Sequence, residues 1–407
     1  MIGQNTKFQA SLFGGRNSDM PKFWKIKREL IRLARQTVEV PVDAVNFLFG
    51  SYYYDFFVSK NKQMWRGAQG SSPQKAVYLI FPVNGLLATH IRTLEYLSSK
   101  GLSVTVVSNI PLNPEDRVTV LKHCHQFIER PNFGYDFGGY RDGILSLKDS
   151  LREAEQLVLI NDSVWFPIVT ETDWLDDVRA LDVDFAGAVS NYGMPRMEAE
   201  NFRALDFNYR TDHKNFHYCS FALCIGKTIL HDPGFLRFWK RFPLTNKKKK
   251  TVRRGEIGLT AWVLKRNFTH GETLGVAKLM HYLEALDDQK LADVASNVMI
   301  PEDPRLKALK SETLSGLDSV PRADLIKFIL TAAARQGTGY ALAYLSVFEL
   351  GFPFLKKSPL WLDSDASDIS IRILEKIDTP ASREALTDAR VLRKRLKTSD
   401  VLGTQTG

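Results

Sequence analysis

From residue 76 onward, short apolar runs alternate with amphipathic stretches. VYLIFPV (77–83), SVTVVS (103–108), HQFIER (125–130), QLVLIND (156–162), DFAGAVS (184–190) and FHYCSFALCIG (216–226) are the right length and composition for strands. Leu86 to Ser99, Pro114 to His123 and Thr170 to Ala180 carry helical spacing between them. This alternation predicts βαβ units and an open, mainly parallel α/β sheet of about five or six strands. After about residue 285 the strand-like runs fade, and Ala323 to Ala334, Tyr340 to Leu350 and Ser382 to Leu396 read as helices.

Before the first strand, PKFWKIKRELIRLARQ (21–36) sets Phe23, Ile26, Leu30 and Leu33 on one helical face and Lys25, Arg28, Arg32 and Arg35 on the other. Such a helix suits an anionic membrane surface; the commoner role of a single short stripe is a surface helix whose apolar face packs inward on a folded domain. The polar, Gly- and Ser-rich RGAQGSSPQK (66–75) marks a boundary. Three regions follow: a helical N-terminal segment (1–75), an α/β domain (76–285), and a C-terminal helical region (286–407) whose tail, TSDVLGTQTG, is expected to fray.

Composition narrows the function classes. With 44% hydrophobic and 25% charged residues in 407, the chain is a folded protein with ordinary cores. Three cysteines without a CxxC pair support neither a disulfide framework nor a cysteine zinc site. The expected setting is cytoplasmic, because no secretory signal pattern opens the sequence and no apolar stretch is long enough to span a bilayer. The formal charge of +9 favours a phosphate-bearing partner. Nucleic acid fits poorly, since the basic clusters are separate and the aromatics lie within apolar elements.

In open α/β sheets ligands bind beyond the carboxyl ends of the strands, which directs attention to two strand tips. The first is RPNFGYDFGGYRDG (130–143), where Gly134, Gly138 and Gly139 permit tight turns and Asn132 and Asp136 carry hydrogen-bonding groups. An amide and a carboxylate on a rigid turn can grip a base and ribose, and a helix start favours phosphates; a glycine-rich connector is the plainer alternative. Its glycines do not fit GxGxxG, so a dehydrogenase loses its main support. GKT at 226–228 is no P-loop, because Phe221 stands where that motif needs glycine.

The second tip is Asn161-Asp162-Ser163, at the abrupt end of an apolar strand. Asp162 can anchor Mg2+ or Mn2+ on a diphosphate, since these ions take one or two carboxylates together with phosphate oxygens. Asn-Asp-Ser is also a favoured turn sequence. No HExxH zinc pattern and no GxSxG nucleophile motif occurs.

PNFGYDFGGYRDG followed by LVLINDSVWFP, then FHYCSFALCIGKTIL, FLRFWKRF (235–242) and GEIGLTAWVL (255–264), resembles the rhamnan synthesis protein F family, bacterial polysaccharide glycosyltransferases of GT-A type. The resemblance implies that Asn132, Tyr135, Asp136, Gly138, Gly139, Asn161 and Ser163 line a nucleotide-sugar donor and that Asp162 holds the divalent metal. One acid between Asn and Ser departs from the usual pair of acids and weakens a metal's grip. The implied reaction moves a sugar, rhamnose by family suggestion, onto a surface polysaccharide or lipid-linked glycan. A noncatalytic assembly subunit on the same fold is the alternative.

Breaking the sugar–diphosphate bond builds negative charge that something positive must meet. NKKKKTVRRGE (246–256) reads as a basic loop ahead of a helix starting near Gly255, placed to close over a diphosphate or contact anionic headgroups. Glu256, in the first turn of that helix, suits removal of the acceptor hydroxyl's proton in an inverting transfer, or simply stabilises the helix start. His217 suits orienting the acceptor or touching the metal, and otherwise a structural hydrogen bond. Asp212 and Glu272 are reserve bases.

Overall fold

The computed structural model describes residues 49–191, 198–245 and 247–403. Everything below belongs to one compact unit beginning at Gly50; the basic helix expected at 21–36 lies outside the described residues.

Eight strands form the main sheet: β1 (Gln63–Arg66), β2 (Gln74–Ile80), β3 (Ser103–Ser108), β4 (Gln126–Glu129), β5 (Gln156–Asn161), β7 (Phe185–Gly187), β10 (Ala222–Gly226) and β11 (His270–Glu272). Among the described residues four short strands lie outside it: β6 (Val164–Trp165), β8 (Ser190–Asn191), β9 (His217–Tyr218) and β12 (Leu355–Lys356). The order is β1-β4-β3-β2-β5-β10-β7-β11. β2 runs parallel to β3 and β5, β3 to β4, and β11 to β7, whereas β10 is antiparallel to both neighbours. The open, mainly parallel α/β sheet expected from the sequence is present. It has more strands than expected, because β11 is three polar or small residues and β1 is a mostly exposed edge strand antiparallel to β4. Neither gives an apolar run. β1 also draws the sheet's edge from residues upstream of the boundary expected at 76.

The central strands are buried throughout, as parallel strands covered by helices on both faces must be. α1 (Ala88–Ser99), α2 (Pro114–Lys122) and α3 (Tyr135–Ser146) supply the crossovers. α3 approaches the sheet closely because Gly139 and Gly143, four residues apart on one face, carry no side chain there. A Cβ on Gly139 would sit 2.4 Å from a Leu79 methyl, and one on Gly143 2.6 Å from Val77. α4 (Trp174–Ala180), α5 (Lys227–His231) and α6 (Pro233–Lys240) follow, and then α7 (Lys248–Lys265).

α7 corrects two expectations. Its first turns are formed by the basic run that the sequence suggests is a loop, and Gly255 lies in its interior with Glu256, not at its start. Lysine and arginine are good helix formers. Gly255 serves packing, since a Cβ there would meet the Phe137 ring of α3 at 2.1 Å.

α8 (Leu279–Ala285) ends the α/β region, and the C-terminal region contains α9 (Asp288–Ser296), α10 (Pro304–Ser315), α11 (Arg322–Gln336), α12 (Thr338–Ala341), α13 (Ala343–Phe348), α14 (Pro359–Leu362), α15 (Ser364–Ile377) and α16 (Pro380–Gly403). α16 carries through residues 398–403, part of the tail expected to fray; extending a formed helix avoids a second nucleation cost. The region also contributes a strand, β12 (Leu355–Lys356), antiparallel to β6. A second apolar core forms where Trp165 and Ile168 meet Leu355, Leu360, Ile369 and Ile373. The helices are thereby fastened directly behind the Asn161-Asp162-Ser163 tip.

Candidate active site

Strand register aligns the carboxyl ends of β2, β3, β4 and β5, because Leu79 faces Asn161, Ile80 faces Ser108, and Ser108 faces Glu129. The antiparallel β10 enters at this edge, where the Asn161 N–H donates to the Phe221 carbonyl at 3.0 Å. β7 and β11 also end here, with Glu272 opposite Gly187. Residues far apart in sequence share one rim.

The two expected tips meet. Asn161 Nδ2 donates to Asp136 Oδ2 at 3.5 Å, while its Oδ1 accepts the Ser163 N–H at 3.0 Å in a tight turn. Beneath them Tyr140 donates to the Ser220 carbonyl at 2.8 Å. Burial, reinforced by Asp136, Asp162 and Glu256, holds the Tyr140 hydroxyl well above the ordinary phenol range. Carboxylates from three elements therefore surround one buried ring.

The 130–139 loop is rigid for a reason its glycines do not reveal. Arg130 is buried and donates to Asp142 Oδ2 (2.7 Å), Asn109 Oδ1 (2.5 Å) and the Phe133 carbonyl (2.5 Å). Tyr54 and Lys62 complete the shell around Asp142. Gly134 (φ +79°) and Tyr135 (φ +49°) take the left-handed turn into α3. Asn132 is exposed at the tip, and Asp136 is half-buried. Gly138 and Gly139 are buried, the first against the Phe133 carbonyl and the second against Leu79.

Asp162 is more tightly held than the sequence suggests. Its Oδ2 accepts the Phe81 N–H at 2.7 Å and faces His90 Nε2 at 3.4 Å. His90 Nδ1 accepts the Leu87 N–H at 3.0 Å, which places the ring proton on Nε2, toward Asp162. Burial opposes ionisation of Asp162, but His90, Lys357 and the Phe81 N–H outweigh it and hold the carboxyl below its usual range. Burial lowers both His90 and Lys357. Behind Lys357, Asp388 of α16 is raised by burial and accepts the Thr89 hydroxyl at 2.5 Å. The Lys357 N–H donates to the Ser163 carbonyl at 3.0 Å, tying β12 to the tip.

A divalent ion fits this donor set poorly. Among the described residues no group of three or more His, Cys, Asp or Glu is arranged to hold a metal, and Asp162 Oδ2 is already engaged.

On the other side, Glu256 Oε1 accepts from the Ser220 N–H (3.0 Å) and hydroxyl (2.8 Å), while its Oε2 lies 3.7 Å from His217 Nε2. His217 Nδ1 contacts the Asn215 carbonyl at 2.7 Å and its Nε2 lies 3.3 Å from Asn191 Nδ2. Glu272 is the acid tuned toward neutrality: burial pushes it up to about 7, although its Oε1 accepts the Val276 N–H at 2.8 Å. Asp212 is exposed in a surface pair with Arg210, so it is not brought to this rim. Burial pushes all three thiols up to about 12, which leaves no nucleophilic cysteine.

Sequence reading missed His90, Lys357 and Asp388. The one available signal was Lys356-Lys357 inside the apolar PFLKKSPLWL, where two adjacent lysines argue for buried partners. Lys356 turns the other way, its Nζ 4.2 Å above the Phe221 ring.

The sequence profile of the family described as rhamnan synthesis protein F matches residues 104–315, more than half of the chain. An uncharacterised protein, y4gN, of Sinorhizobium fredii is 35% identical over 239 residues, covering 58% of this chain and 57% of that protein. The chain thus spans little more than half the length of this curated relative. Core-mannan synthase A of Aspergillus fumigatus, in a Mn/GDP form, is similar over 47% of this chain and 71% of its own, at 12% identity and a TM-score of 0.26. The mannosyltransferase Ktr4p of Saccharomyces cerevisiae with GDP gives 11% identity, 54% and 75% coverage and a TM-score of 0.26. Those scores are too low for residues to be matched between the structures. The family profile is sufficient: the chain belongs to the rhamnan synthesis protein F family.

Proposed function

We propose, from the premise of that membership, that the protein is a glycosyltransferase that moves a sugar from a nucleoside-diphosphate donor to a polysaccharide or lipid-linked glycan with inversion at the sugar carbon. The donated sugar is rhamnose in this reading. The observation that carries it is the meeting of the Asn161 and Asp136 tips at the carboxyl rim of the sheet, beside Glu256. No helix of the described residues is long and apolar enough to cross a membrane.

The donor lies across the two tips. Asp136, Asn161, the exposed Asn132 and the half-buried Tyr135 offer hydrogen bonds to ribose and base, and Phe81, 42% exposed with its N–H fixed on Asp162, offers a ring for the base to stack on. Gly138 and Gly139 act indirectly, the first by letting the Phe133 carbonyl close on α3 and the second by letting α3 approach the sheet. Ser163 holds the turn.

Glu256 is the base. Ser220 fixes one carboxylate oxygen, leaving Oε2 toward His217 and the acceptor side. The acceptor hydroxyl attacks the sugar carbon, its proton passes to Glu256, and the bond to the diphosphate breaks with the electron pair leaving on phosphate. His217, held through Nδ1 by the Asn215 carbonyl, orients the acceptor.

The decisive experiment is product analysis with a panel of nucleotide sugars, with and without manganese, for the native chain, Asp162→Ala and Glu256→Gln. Turnover lost in Glu256→Gln with donor binding retained supports the reading. The alternative, a noncatalytic donor- or glycan-binding assembly subunit, is favoured by one observation: the single acid of the tip is already satisfied inside the protein. Nucleotide stabilisation in thermal melts without turnover of any donor would establish that alternative.

A further inference from the structure

A second surface begins beside the 130–139 loop, where the Tyr53 and Phe133 ring centroids lie 6.1 Å apart. Residues 50–61 form a helical segment that turns four large aromatic side chains outward: Tyr52 is 63% exposed, Tyr53 54%, Phe56 63% and Phe57 66%. Tyr54 points the other way and is fully buried against Arg130 and Asp142. Soluble surfaces rarely expose so many neighbouring rings without a partner.

The segment is firmly held. Arg141 grips both Asp55 carboxylate oxygens, at 2.7 and 2.8 Å, and also donates to the carbonyls of Trp239 (3.0 Å) and Lys240 (3.3 Å) at the end of α6. Ser51 donates to the Phe242 carbonyl at 3.0 Å and accepts the Leu244 N–H at 2.8 Å. The rings are therefore fixed beside the C-terminus of α6, which buries Phe235 and Trp239 and turns Arg237, Lys240 and Arg241 outward.

Those three cations, with Arg152 and His231, line an open groove of about 710 Å³. Among the described residues no carboxylate pairs with Arg152, Arg237, Lys240 or Arg241, and Asp232 at the groove edge is taken by Arg266 at 2.7 Å. Lys60 adds a further cation 6.0 Å from the Phe57 ring.

Fixed aromatic rings beside unpaired cations match the chemistry of a bilayer interface, where rings settle at headgroup depth and Lys and Arg meet anionic phosphates. We infer that the aromatic segment Tyr52–Phe57 and the α6 groove form one peripheral docking surface for an anionic lipid membrane. A single-stranded nucleic acid fits less well. Tyr53 and Phe57 stack on each other, 5.9 Å between centroids, and the rings do not line the cationic groove as a base-stacking track would.

The test is flotation of the full chain with vesicles of phosphatidylcholine alone and of phosphatidylcholine containing phosphatidylglycerol. Two surface variants are compared: Tyr52→Ser/Phe56→Ser/Phe57→Ser and Arg237→Glu/Lys240→Glu/Arg241→Glu. The native chain should float only with the anionic vesicles, and each triple variant should lose on the order of tenfold in bound fraction, with thermal melts unchanged. Equal flotation of native and variant chains overturns the proposal. So does absence of vesicle binding, whether the variants instead abolish self-association in sedimentation or weaken binding to a single-stranded oligonucleotide.

Discussion

His90 presents its Nε2–H to the Asp162 carboxylate at 3.4 Å, and the Leu87 N–H, 3.0 Å from Nδ1, keeps the ring in that tautomer. The only acid of the Asn161-Asp162-Ser163 tip is thus held ionised by the protein itself. Because its folded pKa is depressed, Asp162 contributes stability that is present above its unfolded pKa and lost as pH falls through the folded one. Asp162→Asn should therefore flatten the acid limb of the melting profile below about pH 4, read by calorimetry. An acid limb identical to the native one would contradict this linkage.

Lys357 lies buried between Asp162 and Asp388, both of which favour its charged form against the burial that lowers it. Lys357→Met should cost about 3 to 5 kcal/mol, because it leaves carboxylates without their cation. Lys357→Met/Asp388→Asn should recover part of that loss, giving a coupling energy of about 1 kcal/mol or more in a double-mutant cycle by denaturant unfolding. Additive losses would show that α16 does not communicate with the tip.

Glu272 has the opposite sign. Its folded pKa is raised to about 7, so the folded state binds the extra proton, and stability falls as pH rises from the ordinary glutamate range through about 7. Glu272→Gln should stabilise the protein at pH 8 by up to about 3 kcal/mol and leave it unchanged near pH 4. Melting temperatures at the two pH values decide it.

Arg130 ties the 130–139 loop to the core through Asp142, Asn109 and the Phe133 carbonyl. Arg130→Met should destabilise by about 3 to 5 kcal/mol and raise amide exchange across residues 131–139. Asp142→Asn in the same chain should restore part of the stability. Unchanged exchange in that loop would mean its geometry is set elsewhere.

Glu256→Gln should lower kcat by about 10² to 10⁴ with little change in the donor KM, as expected for a base that acts only in the transition state. Ser220→Ala, which removes one donor to Glu256 Oε1, should cost less and act on kcat in the same direction. A change confined to KM would assign Glu256 to binding.

The alternation of apolar runs and helical spacing was sufficient for the α/β class and for β2 to β5, because a buried parallel strand must be apolar nearly throughout. The two glycine- and Asn-Asp-bearing tips were legible because strand ends and turn residues have local signatures. Tertiary structure alone decided what surrounds them. His90 on α1, Lys357 just after β12 and Asp388 on α16 are spread over about 300 residues, and a buried charge reveals its partner only once the chain has brought both out of water. The same holds for the basic run at 248–254: its composition permits loop or helix, and docking of α7 on α3 through Gly255 and Phe137 selected the helix.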